Sequence, residues 1–236
     1  ACKAAGLPPG VAEHLGEVVF GANFSLRKHQ AQSLVTSLAP NDAPTKNVVV
    51  TSGTGSGKTE SFLVPVIARL LAERLDGVGS GALNRWWEQP WSQETRWNSI
   101  RSGISGGPTP AVRALLLYPT NALVEDQVAR LRRAAFRAKD IHGAPLFYFG
   151  RYTGATPGGT FFPGGQLKAG GRQKIREVAK DLRKIADEAE RLRDRDDEIR
   201  GQFQDPTCGE MLTRWDMVDA PPDIMITNVS MLNVML

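Results

Sequence analysis

The sequence predicts an α/β fold in which helices cover a parallel β-sheet. Two short, continuously apolar runs are each followed by a turn and then by a helical pattern, and two further runs of this kind lie downstream. Such runs are typical of strands that are buried on both faces, and repeated strand–turn–helix order predicts parallel pairing. Because ligands of these folds bind at the carboxyl ends of the strands, the turns are where we expect a functional site.

The elements follow in order along the chain. The predicted strands are residues 47–51, Ala114–Tyr118, residues 146–152 and residues 223–227. The predicted helices, residues 59–75 and 122–135, have apolar side chains at helical spacing. Pro65 lies in the second turn of the first helix, where we expect it to bend the helix without ending it.

Two long stretches interrupt this order, and we interpret them as insertions in one domain that spans residues 1–236. The first, at about residues 76–110, is rich in Gly, Trp and Arg. Its residues Trp86, Trp87, Trp91 and Trp97 alternate with Arg85, Arg96 and Arg101. These tryptophans either stack on nucleic-acid bases, as aromatic residues among arginines can, or pack the insertion onto this domain or another one.

The second insertion, at about residues 156–220, begins with a Gly-rich stretch and continues into a charged amphipathic helix at about residues 172–200. Apolar residues such as Ile175, Ala179 and Leu182 form one stripe of this helix. Because its charges nearly balance, we expect a solvated arm or a helical hairpin. A lever between domains is the remaining interpretation.

The composition limits the class of protein. The chain has 236 residues, 41% of them hydrophobic, and a net charge of +4, which permits a polyanionic partner without requiring one. Cys2 and Cys208 lie far apart, so neither a disulfide framework nor a zinc site is expected, and a reducing cytoplasm fits best. The sequence has no membrane-spanning apolar run, and its first residues, which lack Met and a signal peptide, indicate a piece of a longer protein.

A glycine-rich loop between the first predicted strand and helix carries the strongest functional signal. The residues of this phosphate loop are Gly53, Thr54, Gly55, Ser56, Gly57, Lys58 and Thr59. Glycines let backbone N–H groups close around a phosphate, and the following helix adds the positive end of its dipole. Lys58 is expected to bridge the outer phosphates of ATP, and the Thr59 hydroxyl to bind Mg²⁺. Only the first glycine of the GxxxxGK[ST] pattern is replaced, by Ser52.

Segments on both sides of the loop resemble those of superfamily-two helicases. Leu26-Arg27-Lys28-His29-Gln30 is similar to the segment that reads adenine in that family, which implies that the Gln30 amide pairs with the base. The alternative is that Gln30 is a polar surface residue of a short helix.

Three later segments resemble the family's contacts to the nucleic-acid backbone. Pro119-Thr120-Asn121 opens a segment like "PTxxLxxQ", Thr153-Gly154 resembles the "TG" contact, and Thr227-Asn228 ends the third. Each alone could be an ordinary turn or strand end. Their family order, with each one ending a predicted strand, favours contacts that hold phosphates of any sequence.

The family's catalytic carboxylates, Asp-Glu-x-His or Asp-Glu-x-Asp, are expected after the Thr227-Asn228 segment, beyond Leu236. Asp187-Glu188-Ala189-Glu190 begins with the same Asp-Glu pair, but it lies inside the amphipathic helix and ahead of Thr227. Asp196-Asp197-Glu198 has no apolar strand before it. Both are interpreted as solvated helix faces.

The resemblance implies the first RecA-like lobe of a cytoplasmic DEAD/DEAH-type helicase or translocase that uses ATP and Mg²⁺. Residues 221–232 further resemble large bacterial helicases of DNA repair and of anti-phage defence, of the DISARM and Druantia kind. The implied partners are nucleic acid, DNA before RNA, a second RecA-like lobe of the same longer chain, and other subunits of a defence complex. A nucleotide-gated binding or assembly module with a degenerate ATPase, and a P-loop subunit that moves DNA for a nuclease, remain alternatives.

Overall fold

The computed structural model describes residues 1–21, 24–39, 47–51, 53, 55–75, 82–93, 96–159 and 161–235. The chain divides into two compact units, Ala1–Val78 and Gly79–Leu236. The prediction of a single domain across both units, with two insertions, stays a prediction. Among the described residues no helix is both long enough and apolar enough to cross a membrane.

The described elements of the first unit are three helices: α1 (Pro9–Phe20), α2 (Lys28–Ser37) and α3 (Lys58–Leu75). Val11, Leu15 and Val18 form the buried stripe of α1, which ends at Gly21 in the left-handed conformation. The helix α3 buries a corresponding stripe against α1 and α2, and it continues through Pro65 as predicted.

The prediction of a buried strand at residues 47–51 was wrong for this structure. These residues have no regular secondary structure, and Val49 is 86% exposed. A β-branched run becomes a strand only where a neighbouring strand takes up its backbone N–H and C=O groups. The described elements of the first unit are all helices, so this unit offers the run no such neighbour.

The second unit contains the parallel sheet, and the predicted α/β architecture is confirmed. Its described strands are β1 (Ala114–Tyr118), β2 (Phe149–Tyr152), β3 (Glu210–Met211) and β4 (Ile224–Asn228). They pair in the order β1-β4-β2-β3, all in parallel. The central strand β4 is buried from Ile224 to Thr227, whereas Leu115 and Leu117 of the outer strand β1 are about half exposed.

The helices of the second unit in the described ranges are α4 (Asn121–His142), α5 (Ala169–Arg191), α6 (Asp197–Arg200), α7 (Arg214–Asp219) and α8 (Val229–Met235). Short 3₁₀ turns occupy Trp86–Glu88 and Pro206–Cys208. The helix α4 runs seven residues beyond the predicted end and stops at Gly143, which has a positive φ of 75°.

The single helix predicted for residues 172–200 is two helices, α5 and α6. The break has a local cause, because the Asp196 carboxylate accepts the N–H of Glu198 at 2.8 Å and so caps the start of α6. Such a cap favours a new helix over the continuation of the old one. Ile175, Ala179 and Leu182 are buried on one face of α5, as the predicted stripe requires.

A buried carboxylate, that of Asp223, holds the beginnings of three neighbouring strands together. Its oxygens accept the N–H of Tyr148 at 2.8 Å and a guanidinium N–H of Arg113 at 2.9 Å. Its backbone carbonyl accepts the N–H of Ala114 at 3.0 Å, and its N–H donates to the carbonyl of Tyr148 at 2.8 Å. Arg101 adds a second buried cation 3.6 Å from the carboxylate.

The tryptophans of residues 86–97 lie in the interior of the second unit. Each of the four is at most 5% exposed, so the base-stacking interpretation does not hold in this structure. They pack against Trp215 and against the apolar face of α5, and this set of buried residues is called the tryptophan core below. The two predicted insertions thus bury each other's apolar side chains.

Candidate nucleotide and nucleic-acid sites

In the first unit, Gln30 lies against the phosphate loop. Its side-chain carbonyl accepts the N–H of Arg27 at 2.9 Å, and its NH₂ group donates to the carbonyl of Gly57 at 3.1 Å. Gln30 is 2% exposed, so it is not the polar surface residue of the alternative interpretation. Each end of the amide retains one further hydrogen-bonding position. Pairing with adenine stays a prediction.

Gly57 occupies a backbone position that only glycine fits. Its φ is +81°, and a Cβ built there would lie 2.4 Å from Nε2 of Gln30. Gly55 also has a positive φ, of 74°, so the loop makes two turns that disfavour other residues. The loop and Gln30 are therefore fitted to each other at the position where the backbone turns into α3.

Lys58 is the first residue of α3, and Thr59 is the second. Lys58 is exposed and Thr59 is half-buried. The first N–H groups of a helix have no partners within the helix, so an anion at this end gains hydrogen bonds and a favourable dipole. The loop therefore has the backbone geometry of an anion site. Contact of Lys58 with the phosphates of ATP and binding of Mg²⁺ by Thr59 stay predictions. Gly53, Gly55 and Ser56 are described as well, whereas Thr54 and Ser52 lie outside the described residues.

In the second unit, the three predicted nucleic-acid segments meet at one edge of the sheet. Pro119-Thr120-Asn121 follows β1, Thr153-Gly154 follows β2, and Thr227-Asn228 ends β4. These three strands are direct neighbours, and Tyr118 pairs in register with Asn228 as Tyr152 does with Thr227. Three segments that span more than a hundred residues of the sequence therefore form one surface, which we call the strand-end surface.

The strand-end surface exposes side chains from two of its segments and uses others internally. Pro119, Thr120 and Asn121 are exposed at the start of α4, and the Asn228 amide donates to the Asn121 side chain at 2.6 Å. Thr227 is fully buried, and its hydroxyl donates to the carbonyl of Tyr152 at 2.7 Å. In this structure Asn228, and not the Thr227 hydroxyl, is the member of its segment that reaches the surface.

The turn after β2 is held by its own side chains and by an arginine that the sequence did not single out. The N–H of Thr153 donates to the Thr156 hydroxyl at 2.9 Å, and Gly154 is exposed beside it. Arg214, the first residue of α7, donates to the carbonyl of Thr153 at 2.8 Å. No motif distinguishes Arg214 from the other arginines of the chain, so only the fold identifies it.

Tyr118 is a neutral group at the end of β1. Burial and, to a smaller extent, the nearby carboxylate of Asp126 raise the pKa of its phenol from 10.0 to about 12. The phenol therefore stays protonated at neutral pH. It adds no negative charge to a surface that we expect to face phosphates.

The two acidic runs that imitate the catalytic letters lie on helices, as predicted. Asp187-Glu188-Ala189-Glu190 belongs to α5. The second run remains largely solvated, with the Glu198 side chain 75% exposed, although Asp197 pairs with Arg137 at 2.7 Å and Glu198 with Arg133 at 2.8 Å. These pairs attach α6 to α4. In the part of the chain that the structure describes, no three His, Cys, Asp or Glu residues are grouped so as to hold a metal ion.

Comparison with known proteins gives two matches. The model of the DEAD/DEAH box helicase family matches residues 27–148, which is 122 of the 236 residues. The chain is also similar to the Druantia protein DruE of Escherichia coli (strain UMEA 4076-1). The two are 30% identical over an alignment of 270 residues, gaps included, which covers 96% of this chain. The chain spans 13% of the length of that relative. No solved structure matches.

The family match begins at Arg27, three residues before Gln30, and includes the phosphate loop and the segment after β1. The similarity to DruE covers nearly the whole chain and agrees with the predicted resemblance to helicases of the Druantia kind. Membership of this family implies the use of ATP and Mg²⁺. The chain belongs to the DEAD/DEAH box helicase family.

Proposed function

We propose that this chain is the ATP-binding lobe of a nucleic-acid-dependent ATPase that moves along or unwinds DNA. The strand-end surface carries the proposal. The Asn121 and Asn228 side chains and the Gly154 backbone lie at the ends of three neighbouring strands and offer uncharged hydrogen-bonding groups, which suits a motor that must hold successive phosphates of any sequence. Asn121, Gly154 and Asn228 are the groups that we assign to the backbone of the nucleic acid. Thr153 and Thr227 support them from within the sheet.

The phosphate loop is the part of the chain that we propose binds ATP. Gly57 and Gln30 set the shape of the loop through the bond between the Gln30 amide and the Gly57 carbonyl at 3.1 Å. Lys58 would neutralise charge on the outer phosphates, and Thr59 would hold Mg²⁺. Bound ATP supplies the phosphoanhydride whose hydrolysis drives movement. A carboxylate pair must also activate water, and we assign it to the remainder of the longer protein.

The biological setting follows from the relative. The similarity to a Druantia protein supports a role in anti-phage defence, where other subunits of a defence complex would be partners. A role in DNA repair is the other setting that the resemblance to large bacterial helicases supports. In both settings the substrate is DNA in the cytoplasm, and a second RecA-like lobe of the same protein would close over the bound nucleotide.

The test is the ATPase activity of the full-length protein with no nucleic acid, with single-stranded DNA, with double-stranded DNA and with RNA. We expect DNA to stimulate hydrolysis and Lys58→Ala to abolish it. The matched control is Lys184→Ala, which removes an exposed lysine that pairs with Asp181 on α5. Hydrolysis that no nucleic acid changes, or that survives Lys58→Ala, contradicts the proposal. Binding of ATP without turnover favours the nucleotide-gated module.

A further inference from the structure

Arg214 lies next to the strand-end surface in a setting where arginines are seldom left without an anion. It is half-buried, and its guanidinium donates to the carbonyl of Thr153 at 2.8 Å and lies over the Tyr152 ring at 5.2 Å from the centroid. Within the described ranges no carboxylate forms an ion pair with it. Its Nε is buried and has no acceptor among the described residues.

This arrangement leaves hydrogen-bonding capacity unused. A guanidinium has five N–H donors, and the bond to Thr153 uses one of them. A half-buried cation without a counter-charge is costly, because desolvation is not offset by a nearby anion. Most of the described buried or half-buried arginines of this unit have anions: Arg132 forms a bidentate pair with Glu210 at 2.8 and 2.9 Å, and Arg101 lies 3.6 Å from Asp223. Arg172, which donates to the carbonyl of Leu167, shares with Arg214 the lack of an ion pair among the described residues.

The position of Arg214 is fixed by its neighbours. Its backbone N–H donates to the carbonyl of Pro157 at 2.8 Å. Gly158, with a φ of 114°, packs so closely that a Cβ there would lie 3.1 Å from the Cβ of Arg214. Trp215, the next residue, is anchored in the tryptophan core and donates to the carbonyl of Gly158 at 3.0 Å. The guanidinium is therefore held in place before any ligand arrives.

The positive charge of Arg214 and its position beside the strand-end surface together indicate which ligand it would bind. The Thr153 carbonyl to which Arg214 is bonded immediately precedes the exposed Gly154 of the strand-end surface. A phosphate diester offers two oxygens that match the planar guanidinium, and a charge-assisted bond of this kind is stronger than a neutral one. We propose that Arg214 binds a phosphate of the nucleic-acid strand beside Gly154, as a contact contributed by the second insertion. This inference rests on the proposed function and adds a residue to its interface.

The experiment uses the full-length protein and fluorescently labelled single-stranded DNA of mixed sequence. Affinity is measured by anisotropy over a range of salt concentrations for the wild type, Arg214→Gln and Arg214→Lys. The matched control is Arg172→Gln, because Arg172 is also half-buried and donates to a backbone carbonyl, that of Leu167 at 3.0 Å, but lies on α5. Binding of a fluorescent ATP analogue is recorded for every variant.

We expect Arg214→Gln to lower the affinity for DNA roughly tenfold, as the loss of one hydrogen bond to a charged group does. The slope of log affinity against log salt should fall by about 0.7, which corresponds to one phosphate contact on a single strand. Arg214→Lys should keep the slope and lose part of the affinity, because lysine keeps the charge without the planar fork. Arg172→Gln and the binding of the ATP analogue should not change.

An Arg214→Gln variant that binds DNA as well as Arg172→Gln does overturns the inference and leaves the proposed function standing. So does a loss of affinity with an unchanged salt slope, since that is the result of a merely structural role. A wild-type protein that binds no nucleic acid refutes the proposed function and this inference together. If Arg214→Gln does not fold, the Arg214→Lys arm decides, because an unchanged affinity there contradicts the bidentate contact.

Discussion

Replacing Asp223 by alanine should be among the most damaging single changes to the second unit. The side chain is fully buried, and it accepts bonds from Tyr148 at 2.8 Å and from Arg113 at 2.9 Å, with Arg101 at 3.6 Å. Alanine would leave two cations without their carboxylate and one buried N–H without an acceptor. Removal of one partner from a buried ion pair costs about 3–5 kcal/mol, and the orphaned N–H about 1–3 kcal/mol.

These costs overlap, because the same carboxylate serves all three donors, so we expect a loss of roughly 4 kcal/mol in the free energy of unfolding. For a protein of this size that loss lowers the midpoint of thermal unfolding by roughly 10 °C. The assay is thermal and urea unfolding of wild type and variant, together with hydrogen exchange at Ala114 and Tyr148. Ala114 begins β1 and Tyr148 immediately precedes β2, and these are the two strands that flank β4.

The matched control for this prediction is Asp219→Ala, which removes a carboxylate from the exposed end of α7. We expect the control to change stability by less than about 0.5 kcal/mol, as most exposed substitutions do. An Asp223→Ala variant as stable as Asp219→Ala would refute the reasoning that this carboxylate joins the strands. Unchanged hydrogen exchange at Ala114 and Tyr148 would refute it as well.

Three further predictions concern single side chains. Gly57→Ala should weaken binding of an ATP analogue at least tenfold, because a Cβ would displace Gln30. Gly53→Ala is the control, because a Cβ at this position meets open space and the variant should fold normally. Equal changes in the thermal stability of the two variants would contradict this prediction. Burial raises the pKa of Asp216 from 3.8 to about 6, so its protonation stabilises the fold below pH 4, and this contribution is lost as the pH rises through 6. In urea unfolding, the free energy of unfolding of the wild type should fall by up to about 3 kcal/mol between pH 4 and pH 7, relative to that of Asp216→Asn. Burial also raises the pKa of the Cys208 thiol far above neutral. Iodoacetamide at pH 8 should therefore label half-buried Cys2 and leave Cys208 unlabelled until the protein unfolds, and mass spectrometry would detect the labelled residue.

The local patterns of the sequence predicted the elements whose signals are local. The strand β1 has the predicted bounds, since an apolar run ends there at Pro119. The buried stripe of α5 follows from helical spacing alone. Gly55 and Gly57 of the phosphate loop have the positive φ that favours glycine. The three segments predicted to contact nucleic acid lie at the ends of β1, β2 and β4, as the apolar run before each one predicted.

Features that depend on distant partners could not be predicted in this way. Residues 47–51 have the composition of a strand but no described neighbour in the first unit, and β3 was missed because Glu210 is buried only through its pair with Arg132. The carboxylate of Glu210 gives no apolar signal. The burial of the tryptophans was one of two interpretations, and the decision between them came from α5, which lies some eighty residues further along the chain.

Arg214 and Thr227 show the same limit at the candidate site. The sequence predicted Thr227 as part of a segment that contacts the nucleic-acid backbone, yet its hydroxyl donates to the Tyr152 carbonyl within the sheet. Arg214 belongs to no sequence motif, and only the fold identifies it, because α7 places its guanidinium against the Thr153 carbonyl. A pattern of residue types identifies which segments face a ligand, whereas which atoms are free to reach it depends on packing across the fold.

The tryptophan core has a consequence for how this protein can be altered. Trp86 and Ile100 come from one insertion, Trp215 and α5 come from the other, and the Asp216 carboxylate accepts from Trp86 at 3.0 Å and from Ile100 at 2.9 Å. Deleting either insertion alone would leave large aromatic surfaces of the other in water, which favours aggregation. The two predicted insertions therefore form one packed unit, in which neither stays covered without the other. A shortened version of this protein would need both cuts at once.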